Sequence, residues 1–149
     1  MIKSLIAAVA LSTLCIPQVN AEVFNEVDLL EYHESKGGRV YVNSDRCTET
    51  GAMGLQQGIN IHICIDAHNG NKAEVRDTIR HEVWHVVQMC NKAPITESEV
   101  LAIGEAYAKG WTGQGYDKDV WHHEAEAHFA ASTFTAQEIK NALDRFCFS

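Results

Sequence analysis

The chain of 149 residues reads as one small α+β domain: a short mixed or antiparallel sheet, an edge strand leading into a long helix, and three helices after it. Three observations carry that expectation. Residues 59–65 (Ile-Asn-Ile-His-Ile-Cys-Ile) alternate strictly, which sends four isoleucines to one face of a strand. Val75, Ile79, Val83, Val86, Val87 and Cys90 recur at the helical period and make an apolar stripe on a helix over residues 72–89. Thr96-Glu97-Ser98-Glu99 and Thr135-Ala136-Gln137-Glu138 have the form of capping boxes, each opening a further helix. A chain of this length has room for one modest core.

Residues 1–21 stand apart from that core. Lys3 gives a positive start, residues 5–16 are an apolar run, and Val19-Asn20-Ala21 forms a small-residue cleavage site before Glu22. This is the pattern of a signal peptide, so the domain is assigned to residues 22–149 and the expected location is secreted or periplasmic. The apolar run is short for a membrane span and nothing later is long enough, so no stable membrane insertion is expected after cleavage. Cys15 follows Leu14, whereas a lipid-modified cysteine normally follows a small residue, and lipidation is not expected.

Removing the signal leaves Cys47, Cys64, Cys90 and Cys147, an even number in an oxidising compartment. Two bridges are expected. No C-x-x-C spacing draws these thiols together as a zinc site. Cys47–Cys64 would close the loop between two adjacent strands, and Cys90–Cys147 would join the ends of two helices. The formal charge of −8 becomes −9 when Lys3 leaves, which argues against nucleic acid as a partner.

Taken in order, residues 22–33 fit either a strand or a short helix. Ser35-Lys36-Gly37-Gly38 is a turn, and Arg39-Val40-Tyr41-Val42 is a β-branched and aromatic strand. A loop carrying Asn43, Ser44, Asp45, Cys47, Gly51 and Gly54 leads to the strand at 59–65, whose other face holds His62, expected half-exposed, and Cys64. Residues 66–71 turn into the long helix, with Asn71 and Glu74 as its cap. Pro94 ends that stretch. The next helix covers 96–109 and stops at Gly110; Gly113-Gln114-Gly115 is a flexible crossing, and a third helix spans 117–132. The last runs from the Thr135 box through Ile139, Leu143 and Phe146.

The chemistry is concentrated in His81-Glu82-Val83-Trp84-His85, an H-E-x-x-H sequence inside the long helix. Histidines four apart stand one above the other on one helix face, so their ring nitrogens can converge on a single tetrahedral cation, and zinc is the cation expected. Glu82 then stands where its carboxylate deprotonates a metal-bound water. Asp77 and Gln88 share the polar face with the histidines. The bland alternative is a chance match, with both histidines exposed or hydrogen-bonded.

A third ligand is sought in the third helix. Glu124 is the one charged group on the stripe formed by positions 120, 124, 127, 131 and 134, and a buried carboxylate needs a cation or a full set of hydrogen bonds. Glu126 shares its face with Asp119, His122, His123 and Thr133, suiting a solvated residue or a cleft rim. Both remain open as ligands.

From residue 59 to 134 the chain resembles a gluzincin metallopeptidase of the small single-domain kind. In that family two histidines of H-E-x-x-H and a glutamate from a later helix bind zinc, and the glutamate often begins E-x-x-x-D or E-x-x-A-[DN]. Glu124-Ala125-Glu126-Ala127-His128 is similar to it, with His128 where an Asp or Asn would orient a ligand; a match shifted by two makes Glu126 the ligand. The resemblance implies a small zincin-like fold, Zn²⁺ held by His81, His85 and Glu124, and Glu82 as general base.

The expectation is an exported, monomeric zinc endopeptidase acting on peptide or protein substrates, with the strand at 59–65 as the edge along which substrate lies. His128 and Asp77 are candidates for orienting ligands, and Tyr107, Tyr116, His122 and His123 for stabilising the oxyanion. The alternative is a disulfide-stapled, catalytically inactive zincin-like binding or inhibitor module, in which His122, His123 or His128 supplies a fourth ligand and closes the metal.

Overall fold

The computed structural model describes residues 23–91 and 121–148. The expected signal segment 1–21, the expected helix at 96–109 with Tyr107, the expected crossing at 113–115, Tyr116 and the expected start of the third helix at 117–120 lie outside the described residues. The described elements are α1 (Glu26–Ser35), β1 (Arg39–Val42), α2 (Asp45–Thr50), β2 (Gly54–Gln57), β3 (Asn60–Ile63), a 3₁₀ turn (Ile65–His68), α3 (Lys72–Asn91), α4 (Trp121–Thr133) and α5 (Ala136–Phe146). The architecture is α+β, with helices on a small mixed sheet.

The ambiguous stretch at 22–33 is a helix, and its cap explains why. The Asn25 side chain accepts the Val27 N–H at 2.8 Å while the Asp28 carboxylate accepts the Asn25 N–H at 2.7 Å, a complete capping box. Thr135 and Glu138 make the same reciprocal pair at the start of α5. At α3, Asn71 Oδ1 accepts from the Ala73 and Glu74 N–H groups. The Glu74 side chain turns instead toward buried His68, 3.7 Å from Nδ1.

The sheet order is β1-β3-β2, with β1 parallel and β2 antiparallel to β3. This corrects two expectations. The 59–65 strand is the central strand and not the edge, and it is shorter, since Ile59 and Ile65 fall outside it and are 45% and 40% exposed. The edge beside the long helix is β2, drawn from a stretch expected to be loop. Gly-Leu-Gln-Gln lacks β-branched residues, and pairing with β3 makes it a strand regardless of its own propensity.

As a central strand β3 is covered on both faces. Ile61 and Ile63 enter the core. On the other face His62 is buried, not half-exposed. Its Nδ1 pairs with the Ser44 hydroxyl at 2.7 Å, and Tyr41 stacks on its ring at 4.7 Å. Cys64 is bonded there to Cys47 of α2.

α3 is the element on which the others are assembled. Ile79, Val83, Trp84, Val86 and Val87 meet Leu29 of α1, Ile61 and Ile63 of β3, Ala127 and Ala130 of α4, and Ile139 and Leu143 of α5. Arg80 ties three helices: it pairs with Glu26 of α1 at 2.5 Å, with Asp77 one turn back, and donates from Nε to the Ala131 carbonyl of α4 at 2.7 Å. The second disulfide, Cys90–Cys147, pins the end of α3 to the end of α5, so both bridges have the expected pairing. Closing 57 residues contributes about 4 kcal/mol in the chain-entropy account. Among the described residues no helix is long and apolar enough to cross a membrane.

Candidate metal centre

The two histidines of α3 and one carboxylate of α4 meet where the helices pack. His81 Nε2 and His85 Nε2 are 3.0 Å apart. Glu124 sets one carboxylate oxygen 3.3 Å from His81 Nε2 and the other 3.4 Å from His85 Nε2. The approach of α4 depends on its small residues, because Ala125, Ala127, Ala130 and Ala131 are all buried. A tetrahedral zinc with bonds of about 2.0–2.1 Å needs donors about 3.3 Å apart. The two ring nitrogens lie 3.0 Å apart and each has one of the two Glu124 oxygens at a distance close to that edge, so the donor types and their spacing fit the ion.

The hydrogen bonds around these donors determine which nitrogen of His85 carries its proton. Gln88 Nε2 donates to the Glu126 carboxylate at 2.6 Å and to the His123 backbone carbonyl at 2.9 Å. Both partners are acceptors, so the amide nitrogen must point to them and Oε1 must face His85 Nδ1, 2.8 Å away. That oxygen accepts the Nδ1 proton, so the ring turns Nε2 toward Glu124 and His81, where it donates to the carboxylate when protonated and is free for a cation when not.

Of the two glutamates left open by the sequence, Glu124 is the one brought to the histidines. Glu126, expected either solvated or on a cleft rim, is instead fully buried and accepts a hydrogen bond from Gln88. A polar side chain from α3 meets it there, so its helix face is internal although His122 and His123, one turn earlier, are exposed. Asp77 pairs with Arg80 one turn on and lines the smaller cavity beside His81, Glu82 and His128. His123 contributes its backbone carbonyl, and His128 lays its ring 4.2 Å from that of His81. Tyr107 and Tyr116 lie outside the described residues.

Glu82 faces the sheet edge. A Cβ at Gly54 of β2 would lie 2.5 Å from Glu82 Oε1 and 2.7 Å from its Cγ, so only glycine lets the strand run this close. Nothing in the sequence tied Gly54 to Glu82, and Gln88 had been placed on the right face without a role. Two cavities, of about 710 and 520 Å³, flank the pair of Glu82 and His81. The larger is walled by β2 on one side and by His85 and Glu124 on the other; the smaller reaches toward Thr78 and His128.

Burial pushes the Glu82 carboxyl up to about 7, a tendency the Glu124 charge reinforces and His85 opposes. For Glu124 burial also works upward, but hydrogen bonds from His81 and His85 outweigh it and hold the carboxyl well below the usual range. Burial lowers His81. The same burial would lower His85, but the Glu124 contact reverses the direction. Burial and the neighbouring His81 hold His128 down at about 3. The site therefore presents one firmly ionised carboxylate, Glu124, and one near-neutral, proton-exchanging carboxylate, Glu82, a division of labour suited to general acid–base chemistry.

No curated protein and no solved structure matches the chain. One family model does, and its span includes both helices of the site, the sheet and both disulfides. The chain belongs to the family described as Domain of unknown function (DUF8637), whose model matches residues 20–148.

Proposed function

We propose that the protein is an exported zinc endopeptidase similar to the small gluzincins, with His81, His85 and Glu124 holding the metal and Glu82 acting as general base. The observation that carries this reading is the convergence of two ring nitrogens 3.0 Å apart with the two oxygens of one carboxylate, at 3.3 and 3.4 Å, beside a buried glutamate in an open cleft. Zinc held there supplies a Lewis acid that polarises a scissile carbonyl and acidifies water.

The rest is done by the chain. Glu82 takes the proton of the attacking water and passes it to the leaving amine. Gln88 holds His85 in the tautomer that presents Nε2, and Glu126 holds Gln88. β2 borders the cleft as a sheet edge, so an extended peptide pairs along Gly54–Gln57 by strand addition, the role first expected of 59–65. The cleavage pattern at 19–21 and the two disulfides support export.

Zinc content and cleavage of an unfolded protein substrate, measured for wild type and Glu82→Gln, test the reading. The variant is expected to keep its metal and lose about 10²–10⁴-fold in kcat. A variant that retains zinc and cleaves as fast as wild type overturns the mechanism. The binding or inhibitor module is favoured by one observation, the nearness of His128 to these donors.

A further inference from the structure

α4 carries three histidines besides its glutamates, and the structure separates them. His122 and His123 are exposed, and His123 is engaged through its backbone carbonyl. His128 is turned inward. It stands one helical turn after Glu124, so the two side chains project from the same face of α4, as His81 and His85 do on α3. Its ring lies 4.2 Å from the His81 ring, tilted by 58°. One donor atom from each of His81, Glu124 and His128 lies within 4.8 Å of the others.

We propose that His128 is a fourth protein ligand, so that the metal is clasped by two i,i+4 pairs, His81 with His85 on α3 and Glu124 with His128 on α4. The inference rests on the zinc reading above and changes what the centre is at rest. The donors of His81, Glu124 and His128 lie within 4.8 Å of one another, so bringing them to a tetrahedral edge of about 3.3 Å takes a movement of at most about 1.5 Å, within reach of a side-chain rotation. Four protein donors saturate a tetrahedral ion. Water and substrate then gain access only when the coordination expands to five or His128 withdraws into the smaller cavity, whose wall it forms. The residue that stands where the gluzincin pattern has Asp or Asn is thereby a gate on the metal.

The test counts histidine ligands without reference to activity. The mature chain is loaded with Co²⁺, and the hyperfine-shifted, exchangeable imidazole N–H resonances, one per bound histidine, are recorded by proton NMR for wild type, His128→Ala and His128→Gln. Three resonances in wild type and two in each variant are expected, together with a loss of zinc affinity in a competitive chelator titration of about tenfold or more. Two resonances in wild type, unchanged in the variants, overturn the role of His128 and leave the three-ligand centre standing. Failure of the wild type to bind either metal overturns the zinc reading itself. Should both variants fail to fold, the wild-type count alone decides between three ligands and two.

Discussion

His33 and His81 are both withdrawn from water, at 1% and 9% exposure, yet they do different work. His33 Nε2 donates to a single backbone carbonyl, that of Ile59, at 2.7 Å, and its ring is pressed against Gly38, where a Cβ would lie 2.1 Å from Nε2. One neutral imidazole with one backbone acceptor ties α1 to the end of the sheet. His81 brings its Nε2 to within 3.3 Å of a second imidazole and a carboxylate that belong to different turns and different helices. Burying three ionisable groups with their lone pairs converging is costly unless something positive is shared between them. Burial alone thus does not distinguish a structural histidine from one proposed to bind metal; the convergence of donors is what sets His81 apart.

The largest expected effect breaks the convergence directly. Glu124→Ala should lower zinc affinity well beyond the about 10–100-fold typical of an outer partner, whereas Glu126→Ala, one bond further out, should stay within that range. A chelator titration of the two variants reads the difference, and a reversed order would move the ligand to Glu126. Next comes Gly54→Ala. The added methyl displaces Glu82 without touching a ligand, so kcat should fall about 10²-fold while zinc affinity holds. Loss of metal from this variant would mean that β2 supports the ligands and not the base. Gln88→Ala removes the acceptor of the His85 Nδ1 proton and should cost about 10–100-fold in zinc affinity, measured in the same titration.

Much of this contrast was legible in the sequence, and the parts that were not share one cause. Local periodicity and capping are written in neighbouring residues, which is why α3, β1 and α5 fall where expected, and why Glu124, alone on its apolar stripe, could be singled out. Which strand is central depends on pairing between distant segments, so β3 was taken for the edge and Gly-Leu-Gln-Gln for a loop. The burial of Glu126 has the same cause: its face is polar by the helical period, and only the arrival of Gln88 from another helix makes that face interior. The cysteines were an exception among long-range contacts, because four of them allow only three pairings and helix and strand ends exclude most of the geometry.

The smallest effect sharpens the comparison from the structural side. Burial holds the His33 pKa below its ordinary value of 6.5, and the bond to Ile59 only partly opposes this. The folded protein therefore resists a proton that the unfolded chain accepts. His33 contributes its full stability above the unfolded pKa, about 6.5, and loses it as pH falls through the lower folded pKa, with a slope of at most about 1.4 kcal/mol per pH unit. His33→Gln keeps a side-chain donor for the carbonyl but cannot titrate. Urea denaturation of wild type and variant in chelator, between pH 7.5 and 5, isolates the contribution, since chelation removes metal binding and the subtraction removes the other histidines. The advantage of wild type over His33→Gln should shrink as pH falls. A difference that stays constant across the range would mean that His33 takes up its proton as readily in the fold as in the unfolded chain, and that its burial in place of water is not what distinguishes it from the ligands of α3.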